Sequence, residues 1–319
     1  QYADIFQGEK QDLTVGPAAS QPVLVKDYGT AMLKAQPMPP VRPMRLLPAT
    51  AVFTSPAGET IVDFGQLLCG RARIHLEASY GTEVILEYFE QLDSQGNYYN
   101  SMFVPQKDIV VCNGQPTDYE AWFTFHGFRY IRVTGLASVR AGDFTAVLLT
   151  TEKENLTTFR CSEPRLNRLY DNIRWSQANN MMSIPTDCPS RERAGWTGDI
   201  LIYARTALLN ENVTPFLTSW LDNVRADQAE KGTVMITTPF TRLYDGLMRN
   251  VVKSFGDSEP TGVAGWSDAI VWVPWQMYQV TGNVLVLREN YAAMKRWCDN
   301  VIRTARDKRG NQGLPEEID

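Results

Sequence analysis

Histidine is almost absent from this 319-residue chain, which holds only His75 and His126. Two histidines leave no room for a multi-His metal centre and nearly exclude a His-based nucleophile triad. Cysteine is sparse as well: five residues, at 69, 112, 161, 188 and 298, with no CxxC pair. An odd, scattered set argues against a disulfide framework and against a zinc site, so no metal and no cofactor is expected. A basic excess is missing too. Lys and Arg number 31 against 36 Asp and Glu, a net charge of -5. A nucleic-acid or anionic-membrane binder needs a basic face, so neither partner is expected. No apolar run approaches the roughly 20 residues that span a bilayer. The opening Gln1-Tyr2-Ala3-Asp4 shows no charged segment leading into an apolar one, and it does not begin with Met. The reading is a mature or trimmed product, cytoplasmic, or periplasmic or secreted if a signal has been removed.

What is present is a globular composition, 44% hydrophobic and 21% charged. Such a chain can bury a core, and its length suits two domains of roughly 100–200 residues each. The pattern changes near residue 150. Before it, short alternating segments are broken by turn signals: 60–64, 72–76, 83–89, 108–112, 121–125, 130–134 and 144–149. Asn113-Gly114 after the fourth reads as a hairpin turn. This spacing predicts an antiparallel β-sandwich over 44–150. Residues 1–43, rich in proline, read as an irregular lead-in or the end of a preceding domain. Residues 151–160 read as a linker. After it the period is helical: Ser162-Glu-Pro164 caps a helix, and further helices are expected near 198–210, 213–230, 266–281 and 284–306. Seven of the eight tryptophans fall in this second half, most of them as plain core.

One segment carries chemistry: Asp187-Cys-Pro-Ser-Arg-Glu-Arg-Ala-Gly-Trp-Thr-Gly-Asp199. It packs three carboxylates, two arginines and a Trp between two helices, punctuated by Pro and Gly into a fixed loop. The plain alternative is an ion-pair network that only ties two helices together. Other residues have plainer readings. His126 reads as a hydrogen-bonded structural histidine, Asp63 as a turn or ion-pair residue, and Asp222 and Asp227 as a solvated helix face. Cys188 reads as a small buried filler.

The 187–199 segment resembles the signature of the bacterial α-L-rhamnosidases, glycoside hydrolase family 78, in its shorter form. Val62-Asp-Phe-Gly-Gln66, Phe125-His-Gly-Phe-Arg-Tyr130 and Gly265-Trp-Ser-Asp268 resemble further blocks of that family, in the same order. Together they span roughly 45–319. The resemblance implies a β-sandwich followed by an (α/α)6 barrel, and inverting hydrolysis of α-L-rhamnosides by two glutamates. It puts Glu192 at the general-acid position. It puts Asp187, Arg191, Trp196 and Asp199 at sugar-binding positions, with Trp266 and Asp268 lining the same pocket. An acid must hold its proton, so Arg193 is expected to turn away and Glu192 to sit buried near Asp187 and Asp199. Trp196 or Trp266 is expected to meet the sugar's 6-methyl.

A full (α/α)6 barrel has twelve helices, and about half are visible here, over 161–319. The chain is therefore read as the N-terminal part of a longer enzyme, inactive alone. Its general base is expected downstream, not at Glu316 or Glu317. The expected partner is a carbohydrate, and a homo-oligomer is compatible with the reading. Two alternatives stand beside it: a carbohydrate-binding protein without hydrolysis, and an (α/α)6 glycosidase for a different sugar.

Overall fold

The computed structural model describes residues 2–16, 21–30, 33–100, 106–240 and 261–309. Ten strands up to Thr151 join one hydrogen-bonded sheet. They are β1 (Tyr2–Asp4), β2 (Gly8–Asp12), β3 (Val41–Pro48), β4 (Ala51–Thr54), β5 (Thr60–Leu76), β6 (Glu83–Phe89), β7 (Lys107–Val111), β8 (Thr117–Glu120), β9 (His126–Thr134) and β10 (Phe144–Thr151). The main path runs β1-β2-β7-β6-β9-β5-β10-β3, with β4 and β8 also paired to β5. The sheet is mixed, because β2 runs parallel to β7. The described strand pairs within 44–150 are antiparallel as expected; the parallel pair brings in β2, from the segment expected as a lead-in.

The organising element is β5, 17 residues long. Its register against β9 shifts between Asp63 and Leu68. Gly65 sits there with φ +72°, and its N–H donates to Asp63 Oδ1 at 2.6 Å. The left-handed residue breaks the ladder and turns the strand, as bulge glycines do. The first half of β5 then pairs with β4 and the second with β8 and β10. Arg129 fixes the bend from β9 with a two-pronged contact to Asp63, both distances 2.9 Å. Asp63 is thus both a turn and an ion-pair residue. Alternate residues are buried from Ala72 to Leu76 in β5 and from Val84 to Tyr88 in β6; Val62, Phe64, Ile74, Leu86 and Tyr88 join Phe128 and Phe144 in the sheet's core.

Three expectations differ from the structure in this half. Residues 2–4 and 8–12 of the expected irregular lead-in are strands, too short to show an alternation. Residues 121–125 are not a strand. Trp122 and Phe123 are 72% and 70% exposed, and their N–H groups donate to Glu9 Oε2 rather than to a neighbouring strand. Asn113-Gly114 is a turn, with Gly114 at φ +82°, but it does not make a hairpin. The strands it joins part company: β7 pairs with β6 and β2, β8 with β5.

Five helices follow among the described residues: α1 (Pro164–Asn179), α2 (Thr197–Asn210), α3 (Thr214–Asp227), α4 (Ala269–Thr281) and α5 (Val284–Arg309). A short ribbon, β11 (Met181–Met182) with β12 (Ile184–Pro185), separates α1 from the 187–199 segment. Pro164 stands in the first turn of α1, where its missing N–H costs nothing, and the Glu163 side chain accepts from Arg165 N. Gly282, at φ +69°, ends α4 with its N–H on Tyr278 O. The second core gathers Ile200, Phe216, Trp220, Ile270, Val273 and Trp297 from α2 to α5. No described helix is long and apolar enough to cross a membrane.

Candidate active site

The 187–199 segment is a loop leading into α2, clamped on three sides. Asp187 and Ala194 close it on itself: Asp187 N donates to Ala194 O at 3.1 Å, and Ala194 N donates back to Asp187 Oδ1 at 3.2 Å. The 233–240 stretch flanks it, with Thr238 N donating to Gly195 O at 2.8 Å and Thr197 N to Ile236 O at 2.9 Å. Any side chain at Gly195 would drive its Cβ into Thr238 O. Asp227 holds that stretch in turn, because its Oδ2 accepts from Phe240 N at 2.9 Å. Half-buried, with a pKa that burial pushes up, Asp227 is not the solvated residue expected from its helix face. A turn of helix ending on a distant backbone has no mark in the sequence.

The third clamp is the sheet. A Cβ on Gly127 would lie 2.7 Å from Pro189 C, so the β9 backbone meets the loop backbone directly. Arg193, at φ +50° and buried, turns away from the carboxylates into this seam. It donates to Phe125 O at 2.6 Å and Gln106 Oε1 at 2.7 Å, and also to Ile5 O. Ser190 Oγ donates to Glu90 at the end of β6. Gln106 and Glu90 went unnoticed in the sequence, since neither stands in a motif. Beneath the seam His126 is wholly buried, 3.0 Å from Asp108 Oδ1, and burial lowers its pKa. It is part of the sheet's interior.

With Arg193 removed, Glu192 meets Arg191 and Trp196. Its Oε1 lies 3.0 Å from Arg191 Nε and 2.8 Å from Nη2, and its Oε2 accepts from Trp196 Nε1 at 2.7 Å. The Glu192 side chain is 16% exposed and that of Arg191 47%. Glu192 N donates to Cys188 Sγ at 3.1 Å, and burial pushes the thiol up to about 11, well away from a nucleophilic thiolate. Asp187 and Asp199 share the wall of a cavity of about 440 Å³, with Gln177, Met181, Ile200 and Tyr203. Desolvation raises the pKa of both aspartates, and the charge of Glu192 adds to each. Glu192 therefore sits within electrostatic reach of both aspartates. Neither Trp196 nor Trp266 lines this cavity; its apolar side is Met181, Pro185, Ile200 and Ile202.

Trp266 reaches the site through Gly198. A Cβ there would lie 2.9 Å from the indole ring, so the ring packs on bare backbone beside Asp199. Asp268 is otherwise engaged: Oδ1 accepts from Trp297 Nε1 at 2.9 Å and Oδ2 from Gly265 N at 2.8 Å. Its carboxylate ties the loop before α4 to α5. Glu316 and Glu317 lie outside the described residues. Among the described residues no group of three or more His, Cys, Asp or Glu is arranged to hold a metal ion.

These contacts join separate sequence blocks, 125–130 under 187–193 and 198 under 266, into one construction. The family model of the bacterial alpha-L-rhamnosidase 6 hairpin glycosidase domain matches residues 154–316. The chain belongs to the bacterial α-L-rhamnosidase family. The concanavalin-like domain of the same rhamnosidases matches residues 53–150. An α-L-rhamnosidase of Streptomyces avermitilis is 36% identical over 263 residues, covering 81% of this chain and 24% of that protein. One of Alteromonas is 29% identical, covering 93% of this chain and 32% of that protein. In structure, the Streptomyces avermitilis α-L-rhamnosidase complexed with L-rhamnose aligns over 84% of this chain and 25% of that one, with a TM-score of 0.77 and 34% identity. The Aspergillus terreus α-L-rhamnosidase aligns over 93% of this chain and 35% of that one, with a TM-score of 0.80 and 30% identity. The chain spans 24% and 32% of the length of these two curated rhamnosidases.

Proposed function

We propose that this chain carries the acid half of an α-L-rhamnosidase active site. In this reading the protein releases terminal α-L-rhamnose by inverting, single-displacement hydrolysis. Glu192 is the general acid, and the general base lies in a part of the protein outside this chain. The sheet is the sandwich that precedes the catalytic domain, and the five helices belong to its (α/α)6 barrel. The observation that carries the reading is the loop itself: Arg193 is drawn off into the sheet, leaving Glu192 within the field of Asp187 and Asp199.

Glu192 accepts hydrogen bonds at both oxygens, from Arg191 and from Trp196. Acid catalysis needs one oxygen to carry a proton and face the leaving oxygen. Arg191 is the contact that gives way. It is half exposed, whereas Trp196 is held by its place at the start of α2. On sugar binding the Arg191 guanidinium moves to the hydroxyls, and Glu192 Oε1 is left for the proton. Asp187 and Asp199 take hydroxyls from the cavity wall, and Trp266 closes the side next to Asp199. The aliphatic patch of Met181, Ile200 and Ile202 offers a place for the 6-methyl. Asp268, bonded at both oxygens, acts by holding Trp266 in position rather than by touching sugar.

The test uses the protein from the entire reading frame. Aryl glycosides of L-rhamnose, L-mannose and L-lyxose are compared, and proton NMR follows the anomer first released. Rhamnoside turnover with the opposite anomeric configuration is expected. Turnover of another sugar alone would overturn the substrate, and retention would overturn the mechanism. The satisfied carboxylate of Glu192 favours one second reading, a rhamnose binder without hydrolysis. It predicts binding of free L-rhamnose with no turnover of any glycoside.

A further inference from the structure

On the opposite face of α1 from Asp187 and Asp199, a second cavity of about 480 Å³ opens between the helix, β3 and β10. Small-molecule sites usually enclose roughly 300–1,000 Å³. Its lining carries Arg45, Lys153, Arg160, Arg168 and Arg174 against only Asp171 and Glu211. Three of the five cations have a carboxylate partner: Arg160 meets Asp171 at 2.9 Å, Arg174 meets Glu211 at 3.1 Å, and Lys153 shares Glu211 at 3.9 Å. Gln177 Nε2 also donates to Glu211, at 2.9 Å. Arg45 and Arg168 have no carboxylate partner among the described residues, and Arg45 lies over the Trp175 ring at 5.1 Å.

Lys153 is the deepest of the five, with a side chain only 3% exposed. Its ammonium donates to Thr151 O at 2.7 Å and Thr150 Oγ1 at 3.1 Å. The nearest carboxylate oxygen, Glu211 Oε2, is 3.9 Å away, beyond hydrogen-bond reach. The Phe216 ring lies on another side of the ammonium, 6.0 Å to its centroid, so no carboxylate oxygen sits in direct hydrogen-bond contact with this buried charge among the described residues. Burial pushes the pKa of Lys153 down to about 8; Glu211 opposes that shift and Arg174 adds to it. A buried cation whose one carboxylate is distant and shared with Arg174, beside guanidinium groups in excess, is relieved by a negative ligand. Planar guanidinium forks suit the paired oxygens of carboxylate, sulfate or phosphate groups.

We propose that this cavity is a binding site for an oxyanion, either carried on an acidic saccharide or free as an inorganic ion. Its charge does not depend on the hydrolase reading. The test measures the melting temperature of the full-length protein at constant ionic strength, against sodium sulfate and D-glucuronate, with chloride and uncharged D-glucose as controls. A saturable rise is expected with sulfate or glucuronate and with neither control. Arg45→Gln and Arg168→Gln are exposed changes that leave the fold intact. Each is expected to weaken binding about tenfold or more, as loss of a charge-assisted contact does. Tighter glucuronate than sulfate assigns the anion to a saccharide, and sulfate alone assigns a free ion. Sulfate also stabilises proteins without binding, so a rise that survives both substitutions would overturn the site. So would no rise with either anion. Lys153→Met serves as a third variant where it folds, and the arginine pair decides where it does not.

Discussion

The sheet and the loop that rests on it treat carboxylates in opposite ways. In the sheet, Asp63 meets Arg129 and Glu59 meets Arg132, each at 2.9 Å. Although burial opposes it, these contacts and the added N–H donors hold both acids below the usual carboxylate range. In the loop, two arginines adjoin Glu192, yet one is buried in the sheet seam, and Asp187 and Asp199 are pushed up. The difference teaches where structure ends and chemistry begins. A paired acid fastens two strands, whereas an acid short of cations in a cavity can hold or pass a proton. Arg193 divides the two regimes, because it spends its charge on backbone carbonyls instead of on Glu192.

Arg193→Ala breaks that division most severely. It removes a buried fork of hydrogen bonds and should cost about 3 kcal/mol in a urea melt. Activity should fall further than stability explains, since the loop loses its seat. Lysine at 193 should recover less than half, because an ammonium cannot reach Phe125 O, Gln106 and Ile5 O together. Gly127→Ala comes next, at about 1–3 kcal/mol, because its Cβ meets the Pro189 backbone rather than a yielding side chain. Equal stability for this variant would contradict the direct seating of loop on sheet.

Asp63→Asn should cost about 1 kcal/mol or less at pH 7, since Arg129 is partly open to solvent and screened. The sign follows from a folded pKa below the unfolded one. The stabilisation is present above the ordinary carboxylate value and lost as pH falls through the folded one. The gap between wild type and variant should therefore close on acidification. Asp187→Asn should do the reverse, with the smallest effect. Its folded pKa is raised, so the folded state of the wild type binds the proton more tightly. Wild-type stability from this group is highest below the ordinary Asp value and falls as pH rises through the folded pKa. The variant should be slightly the more stable at pH 7, with that gain vanishing in acid, while losing activity. A loss of stability at pH 7 would place Asp187 with the structural acids.

Much of this was legible in the residues. The long helices announced themselves through Pro164, through Gly282 and through apolar spacing, and the 187–199 loop through its density of charge. The glycines of the motifs were legible as motif letters but not as causes. Gly127 and Gly198 are bare because Pro189 and Trp266 lie on them, and those approaches span 62 and 68 residues of chain. The segment 121–125 reads as a strand because it falls at the spacing of its neighbours, yet Glu9, more than a hundred residues away, takes the N–H groups of Trp122 and Phe123. Residue type does not tell Arg191 from Arg193, but the need to keep a proton on an acid between them does: Arg193 turns away as expected, on a left-handed backbone that the sequence does not mark.

The most direct test of Glu192 as the acid is the dependence of its loss on the leaving group. Glu192→Gln, in the full-length protein, is assayed on p-nitrophenyl α-L-rhamnoside and on an alkyl α-L-rhamnoside. Nitrophenol leaves with little protonation, whereas an alcohol needs it, and a positioned acid typically contributes about 10²–10⁴-fold. The account predicts a loss of that size on the alkyl glycoside and a much smaller one on the aryl glycoside. An equal loss on both would make Glu192 a binding residue, and no loss on either would remove it from the reaction.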